Sequence, residues 1–465
     1  MVDKLISSLR DVLGPEGVLT GADVTRRRAG IWSEEPVRAR AILRPCTTPE
    51  VMAVLSACSR AGQSVVTHGG LTGLVEASLT VPEDVVLSLE RMNRVEAIDR
   101  VGRTMTAQAG ATLQHVQEQA EATGLMLPLD LGARGSCTLG GNAATNAGGN
   151  RVIRYGMMRD MVLGLEAVLA DGTLISSMNT MLKNNAGYDL KHLFIGTEGT
   201  LGVITRLVMR LRPMWRSQET ALIACNDFAS VTGLLNRMDS LLGGTMSAFE
   251  VMWQDYYQLV TSSAPKSEPP LAADYPYYVL IEALGGDPTQ DADRFIDSIA
   301  AAEVDGLVVE AALAKSRSER DGMWAIRDDV EKCLQFEPCF VFDVSLSLKH
   351  MEAYVNEVTA SLSSRWKDSH VFVFGHLGDG NIHFVIAAGD GSGTTRQGVE
   401  ESVYEPLRRI GGSVSAEHGI GLEKKPYLSW CRSANEISLM RTLKQTMDPV
   451  GILNPGKVFD LAATE

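Results

Sequence analysis

Histidine is scarce in this chain, 8 residues in 465, yet two of them, His376 and His383, bracket the stretch GHLGDGNIH. The apolar run HVFVF, 370–374, leads directly into it. A strand ending in such a loop can bring two imidazoles to one place. A second stretch, GSVSAEHGIG over 412–421, reads as a short strand breaking into a glycine turn with Glu417 and His418 at its tip. Two imidazoles and one carboxylate suit a borderline divalent ion with open positions, such as Zn²⁺, Mn²⁺ or Fe²⁺. On spacing alone, an acid–base pair or histidines that only cap turns account for the pattern as well. An odd separation places two rings on opposite faces of a continuous strand. The intervening Gly378-Asp379-Gly380-Asn381 turn removes that objection.

Three glycine loops in the first half make a second candidate site. They are GGLTG from Gly69, GGNAATNAGG from Gly140 and GTEGTLG from Gly196. Backbone N–H groups of such loops can face a phosphate without side-chain obstruction. GGLTG matches neither the dinucleotide fingerprint nor the phosphate-binding loop of nucleotide hydrolases. Asn142 and Asn146 can hydrogen-bond ring heteroatoms. Tight turns explain any one loop, but three among predicted strands imply one large ligand with phosphates and a flat ring.

The elements that position these residues follow from pattern. A strand is predicted over 37–43. The next helix, Pro49 to Ala61, has Thr48 as N-cap, Val51, Met52, Leu55 and Cys58 on one face, and Gly62 as its stop. Val65-Val66-Thr67 is a second strand running into the first glycine loop, and further strands are predicted over 85–89, 104–109, 162–170 and 203–211. Leu113 to Thr123 is an amphipathic helix. The segment 131–151 is poor in large side chains, so its backbone is expected to lie flat against a ligand. After Pro213, strands (221–224, 277–283, 306–311) alternate with helices (228–242, 289–302), which suggests an α+β domain on an antiparallel sheet. Residues 262–274 read as a polar loop, and the last segment, TMDPVGILNPGKVF, should dock back on the body.

Composition narrows the class. The length predicts two or three domains. With 57 Asp+Glu against 43 Lys+Arg, a net charge of −14 argues against a nucleic-acid groove or an anionic membrane surface. The triplet Arg26-Arg27-Arg28 reads as a solvated helix face. Seven cysteines without a Cys-x-x-Cys pair fit free thiols in a reducing compartment. No apolar run reaches the ~18 residues of a spanning helix, and the start lacks a secretory pattern. A cytoplasmic protein is expected, peripheral at the inner membrane if it meets a membrane carrier there.

The order GGLTG, PLDLGARGSCTLGGNAATNAGG, RYG, NAGYDLKHLFIGTEGTLGVIT and GILNPGK resembles the FAD-linked oxidoreductases of the vanillyl-alcohol oxidase type, along nearly the whole chain. Within them it is similar to the D-2-hydroxyacid dehydrogenase branch, which includes D-lactate and D-2-hydroxyglutarate dehydrogenases. The resemblance implies an α+β fold: a PCMH-type FAD-binding domain of two α/β subdomains, and a substrate (cap) domain on an antiparallel sheet. It implies an N-terminal helical segment over 1–35, the FAD domain over 36–215, and the substrate domain with the metal site over 216–425. Residues 426–465 would then pack back on the FAD domain. It assigns non-covalent FAD to Thr67, His68, Gly69, Gly70, Leu71, Thr72, Gly73, Leu74, Pro128, Asp130, Cys137, Thr138, Gly140, Gly141, Asn142, Thr145, Asn146, Gly148, Gly149 and Tyr155. Glu198, Gly199, Val203 and Ile204 would hold the adenosine half, and Asn454 would reach the flavin. Some relatives attach FAD through a histidine in the first loop; this branch usually lacks the bond, so His68 is expected to be a neighbour only.

The intact G-H-x-G-D-G-N-x-H and S-A-E-H-G motifs imply one divalent metal, zinc or manganese, on His376, His383 and Glu417. The implied chemistry is chelation of a 2-hydroxy acid, proton removal by His418, and hydride transfer from C2 to flavin N5. Arg327 would clamp the substrate carboxylate, unless it is a helix-surface arginine paired with Glu331. Hydroxyglutarate-type members carry Thr, Lys and Asn where this chain has Glu331, Val341 and Val385. A second buried carboxylate without a cation costs several kcal/mol, which favours an apolar tail: D-lactate, a longer aliphatic acid or D-mandelate. The competing readings are D-2-hydroxyglutarate dehydrogenase, a non-catalytic flavin subunit of an oxidase complex, and a flavin-free metal hydrolase. The last leaves GGNAATNAGG unexplained, and a non-catalytic subunit has no need of His376, His383, Glu417 and His418. An external acceptor (a quinone, a cytochrome or an electron-transfer flavoprotein) and a homodimer complete the expectation.

Overall fold

The computed structural model describes residues 2–31, 33–262 and 269–461, so part of the expected polar loop, 263–268, lies outside the described residues. The chain divides into two units. Residues 1–148, 156–214 and 417–465 form the first, and residues 149–155 and 215–416 the second.

The first unit carries two larger sheets, one for each α/β subdomain, beside two two-stranded ribbons. One has four strands in the order Val18–Thr20, Ala41–Leu43, Val85–Ser88, Val65–His68. Its last three strands run parallel. Helix Thr48–Ala61 connects two of them. Its cap is Thr47, one residue earlier than expected, because Thr47 is the extended residue whose hydroxyl accepts from Glu50 N at 3.3 Å. Val51, Val54, Leu55 and Cys58 are buried and Met52 is only half-buried, so the true face runs through Val54. The predicted strand over 37–43 shrinks to Ala41–Leu43, since Ser33–Pro36 already pairs with Arg28–Gly30 as a separate ribbon. The arginine triplet is no helix face: helix Ala22–Thr25 ends before it, and Arg27 forks onto Glu90 at 2.6 and 3.1 Å. The other sheet is five-stranded and antiparallel, in the order Leu174–Ser177, Val162–Val168, Val203–Arg210, Thr104–Gln108, Val95–Asp99.

Segment 131–151 is not wholly flat backbone. Leu139–Thr145 is a helix, capped by the Thr138 hydroxyl on Gly141 N at 3.3 Å and closed by Asn146 in the left-handed region. Two glycines hid it, since each costs about 1 kcal/mol in a helix. Gly140 is needed there: a Cβ would stand 2.6 Å from the Cβ of Ala109.

The second unit is built on a seven-stranded antiparallel sheet, in the order Glu310–Leu313, Ser217–Cys225, Tyr277–Gly285, Met246–Trp253, His370–His376, Asn381–Ala387, Cys339–Ser345. Helix Phe228–Leu242 has the predicted bounds, with Asp227 as cap and Gly243 as stop. The strand predicted over 306–311 begins only at Glu310, because Gly306, at φ +76°, is still reversing the chain after helix Pro288–Val304. One face of the sheet buries Leu222, Met252, Leu280, Phe372, Phe374 and Val385 under Tyr256, Tyr257, Val260 and Met323.

Candidate active site

The first unit contains a cleft of about 420 Å³ whose walls are the predicted loops. Thr67, Gly69, Gly70, Leu71, Thr72, Gly73 and Leu74 line it, as do Cys137, Thr138, Gly141, Asn142, Thr145, Gly148, Glu198 and Asn454. Glu417 and His418 stand on the same wall. Ala77, Ser78, Leu131, Gly132, Ala133, Ala144 and Ala147 also line it. Five of these seven fall in the segment 131–151 expected to lie against a ligand; sequence reasoning missed Ala77 and Ser78, whose small size was the signal.

Pro128, Asp130, Gly140, Asn146, Gly199, Val203 and Ile204 are not among the lining residues. Val203 and Ile204 lie buried in the five-stranded sheet, and a Cβ on Gly199 would stand 2.8 Å from Asn454 Nδ2. Gly149 and Tyr155 belong to the second unit. His68 is buried with Nε2 at 2.9 Å from the Ser78 carbonyl, and burial pushes its pKa down to about 4.

The cleft suits a large flat ligand. A Cβ on Gly73 or Gly132 would meet no protein atom within 4 Å and would stand in the open space. Thr67 carries a buried hydroxyl without a protein partner. Gly69 and Gly70 serve differently: Cβ atoms there would lie 2.8 Å from Thr138 Oγ1 and 2.0 Å from Ser136 O, so these glycines let two loops touch.

Glu198, which lines the cleft, also holds a turn. Its carboxylate accepts Ile420 N at 2.7 Å and Gly421 N at 2.9 Å, which fixes the turn carrying Glu417 and His418. Burial raises its pKa against the pull of those two amides. Asn454 accepts from Thr67 N at 2.9 Å and donates to Glu198 O at 2.6 Å, so the C-terminal segment does dock into the first unit. The predicted strand before Glu417 is reduced to one bridge, Ser345 to Ser413. The second unit keeps hold of this segment to its end, where Ala416 N donates to Asp343 at 3.0 Å.

In the second unit, His376 and His383 face each other across a hairpin, ring centroids 5.2 Å apart at 86°. Register explains it. Phe374 is opposite His383, and His376 lies two residues beyond Phe374, hence on the same face. Asp343 opposes His383, and Glu250 opposes His376. A diagonal of ionisable groups therefore crosses one sheet face, continued by Glu282 opposite Ala248.

Glu250 is 1% exposed and its Oε1 lies 2.8 Å from His376 Nδ1. Its Oε2 accepts Arg327 Nε at 2.8 Å. Burial raises the Glu250 pKa, but His376 and Arg327 outweigh it and hold the carboxyl below its usual range. Arg327 is thus buried at the site and not paired with Glu331, because helix Arg317–Asp328 ends first and Glu331 is exposed on the turn Val330–Phe336. Sequence reasoning missed Glu250 and Glu282, whose signal was a glutamate inside the apolar runs SAFEVMW and VLIEALG.

Val341 and Val385 are cross-strand partners, one side-chain step from Asp343 and His383. Val341 is 44% exposed at the sheet edge, whereas Val385 is fully buried beneath the Phe372–Tyr256 cluster. Glu331 is exposed on the turn Val330–Phe336.

Comparison with known proteins gives a consistent picture. Residues 39–177 match the FAD binding domain, and residues 215–458 match the C-terminal domain of FAD linked oxidases. A D-2-hydroxyglutarate dehydrogenase, mitochondrial, of Bos taurus is 39% identical over 421 residues, covering 90% of this chain and 77% of that one. A D-2-hydroxyglutarate dehydrogenase of Xanthomonas citri pv. viticola is 37% identical, covering 95% of this chain and 92% of that one. Among solved structures, p-cresol methylhydroxylase with substrate bound superposes with a TM-score of 0.78 over 100% of this chain and 98% of that one, at 14% identity.

Proposed function

The chain belongs to the FAD linked oxidases, and on that premise we propose that it is an FAD-dependent D-2-hydroxyacid dehydrogenase whose substrate carries a mainly apolar side chain. The observation that carries the substrate reading is the Val341–Val385 pair beside Asp343 and His383. A distal carboxylate there would meet the exposed Val341, with the buried Val385 behind it, and find no cation on either strand. A methyl to phenyl group would gain roughly 1–3 kcal/mol from burial.

The first-unit cleft holds FAD through the loops at Gly69–Leu74 and Cys137–Gly148 with Asn454, and the motifs that carry His376, His383 and Glu417 support one zinc or manganese ion as their ligand. Bound, FAD supplies a two-electron acceptor and the ion a Lewis acid for the 2-hydroxyl. His418 takes the hydroxyl proton. Arg327, kept charged by Glu250, faces the substrate carboxylate. The reading includes non-covalent FAD, supported by the burial of His68 with its Nε2 at 2.9 Å from the Ser78 carbonyl. The electrons then leave to an external acceptor of the quinone, cytochrome or electron-transfer flavoprotein kind.

A second reading, D-2-hydroxyglutarate as substrate, is favoured by the names of the relatives. A dye-coupled panel separates the two. D-Lactate, D-2-hydroxybutyrate or D-mandelate should exceed D-2-hydroxyglutarate at least about tenfold in kcat/KM, roughly 1.4 kcal/mol. Preference for the dicarboxylate would reject the apolar pocket. Val341→Lys should shift the ratio toward the dicarboxylate.

A further inference from the structure

His376 and Arg327 depend on one carboxylate. Glu250 sits on strand Met246–Trp253, directly opposite His376, and is 1% exposed. Its two oxygens are divided: Oε1 lies 2.8 Å from His376 Nδ1, and Oε2 lies 2.8 Å from Arg327 Nε. An arginine buried only for stability needs a counter-charge, but it does not need that same carboxylate to face an imidazole. The NH2 group of Arg327 stands 3.5 and 3.4 Å from the two ring nitrogens of His376. Near-equal distances put it over the ring, outside the line of either nitrogen's lone pair, so it does not compete with Glu250 for Nδ1.

We infer that Glu250 is a positioning residue that sets two groups at once. One oxygen holds the His376 proton on Nδ1 and presents Nε2 as the coordinating nitrogen. The other oxygen fixes the plane of the Arg327 guanidinium. The carboxylate comes from a strand 126 residues away in sequence from His376, so the arrangement exists only through the sheet register. Tyr256 completes the setting, its hydroxyl donating to the Arg327 carbonyl at 2.8 Å. The inference rests on the proposed metal-assisted dehydrogenase and adds to it a residue on which both ion affinity and substrate orientation depend.

The test uses the purified FAD-loaded enzyme, wild type, Glu250→Gln and Glu250→Asp. Zn²⁺ or Mn²⁺ affinity is measured by competition with a chromophoric chelator, and flavin content by absorbance. Wild type should bind one ion per chain. Glu250→Gln keeps the shape but cannot accept from both partners with charge, and should weaken ion binding about 10–100-fold. Its flavin content should stay at the wild-type level, because the flavin cleft lies in the other unit. Glu250→Asp keeps the charge but is too short to span both partners, and should fall between the two. If Glu250→Gln does not fold, the aspartate variant decides alone: weakened ion binding with full flavin supports the inference. Wild-type ion affinity in a folded variant overturns it while leaving the dehydrogenase reading intact. Absence of ion binding by wild type overturns the metal reading and this inference together.

Discussion

In the proposed mechanism His418 takes the substrate proton, and the fold shows how the turn that carries it is held. Glu198 grips the two amides that follow it, and Gly419 and Gly421 adopt φ of +86° and +52° to allow the grip. His418→Asn should keep FAD and the ion but lose about 10²–10⁴ in kcat, as removal of a general base does; near-normal turnover in a steady-state assay would remove it from that role. His68 bears on stability instead. Its pKa is pushed down to about 4 by burial, against an ordinary value of 6.5. The unfolded chain then binds a proton that the folded chain refuses, so the contribution is complete above about pH 6.5 and is lost as pH falls toward 4. The loss is on the order of 3 kcal/mol. Denaturant titrations at pH 7 and pH 4.5 should show this slope flattened in His68→Gln. The motifs made His376, His383, Glu417 and His418 legible in the sequence because each sits in a short glycine-marked stretch. Glu250 was not, because its meaning lies in a partner on another strand.

At the level of elements, periodicity found the strands and the longer helices, and capping chemistry set their ends to within a residue or a few. Helix Leu139–Thr145 escaped because its glycines serve packing and not propensity. Asp343, Glu250 and Glu282, which share a sheet-face diagonal with His376 and His383, escaped because strand order in the seven-stranded sheet is not sequence order. The two kinds of glycine in the first loop make a paired prediction. Gly70→Ala drives a Cβ to 2.0 Å from Ser136 O and should lower the Tm of the apoprotein by several degrees. Gly73→Ala meets no protein atom within 4 Å and should leave that Tm unchanged while weakening FAD binding at least about threefold, read by flavin fluorescence. Equal effects of both substitutions on both measurements would contradict this division of labour.

For the molecule as a whole, two units each contribute a distinct chemistry: small-residue loops around a cleft in one, and an ionisable diagonal on a sheet face in the other. Among the described residues no helix is long and apolar enough to cross a membrane. A chain of net charge −14 that oxidises small anions relies on local cations such as the buried Arg327 rather than on a basic surface. The central claim is that a D-2-hydroxy acid delivers two electrons to the flavin of this chain. Anaerobic titration of the holoenzyme with D-lactate and, separately, L-lactate tests it without any external acceptor. The account predicts bleaching of the oxidised flavin band by one equivalent of the D-isomer, slowed or abolished by chelator, and no bleaching by the L-isomer. A flavin that stays oxidised in excess D-lactate, D-mandelate and D-2-hydroxyglutarate alike would contradict it.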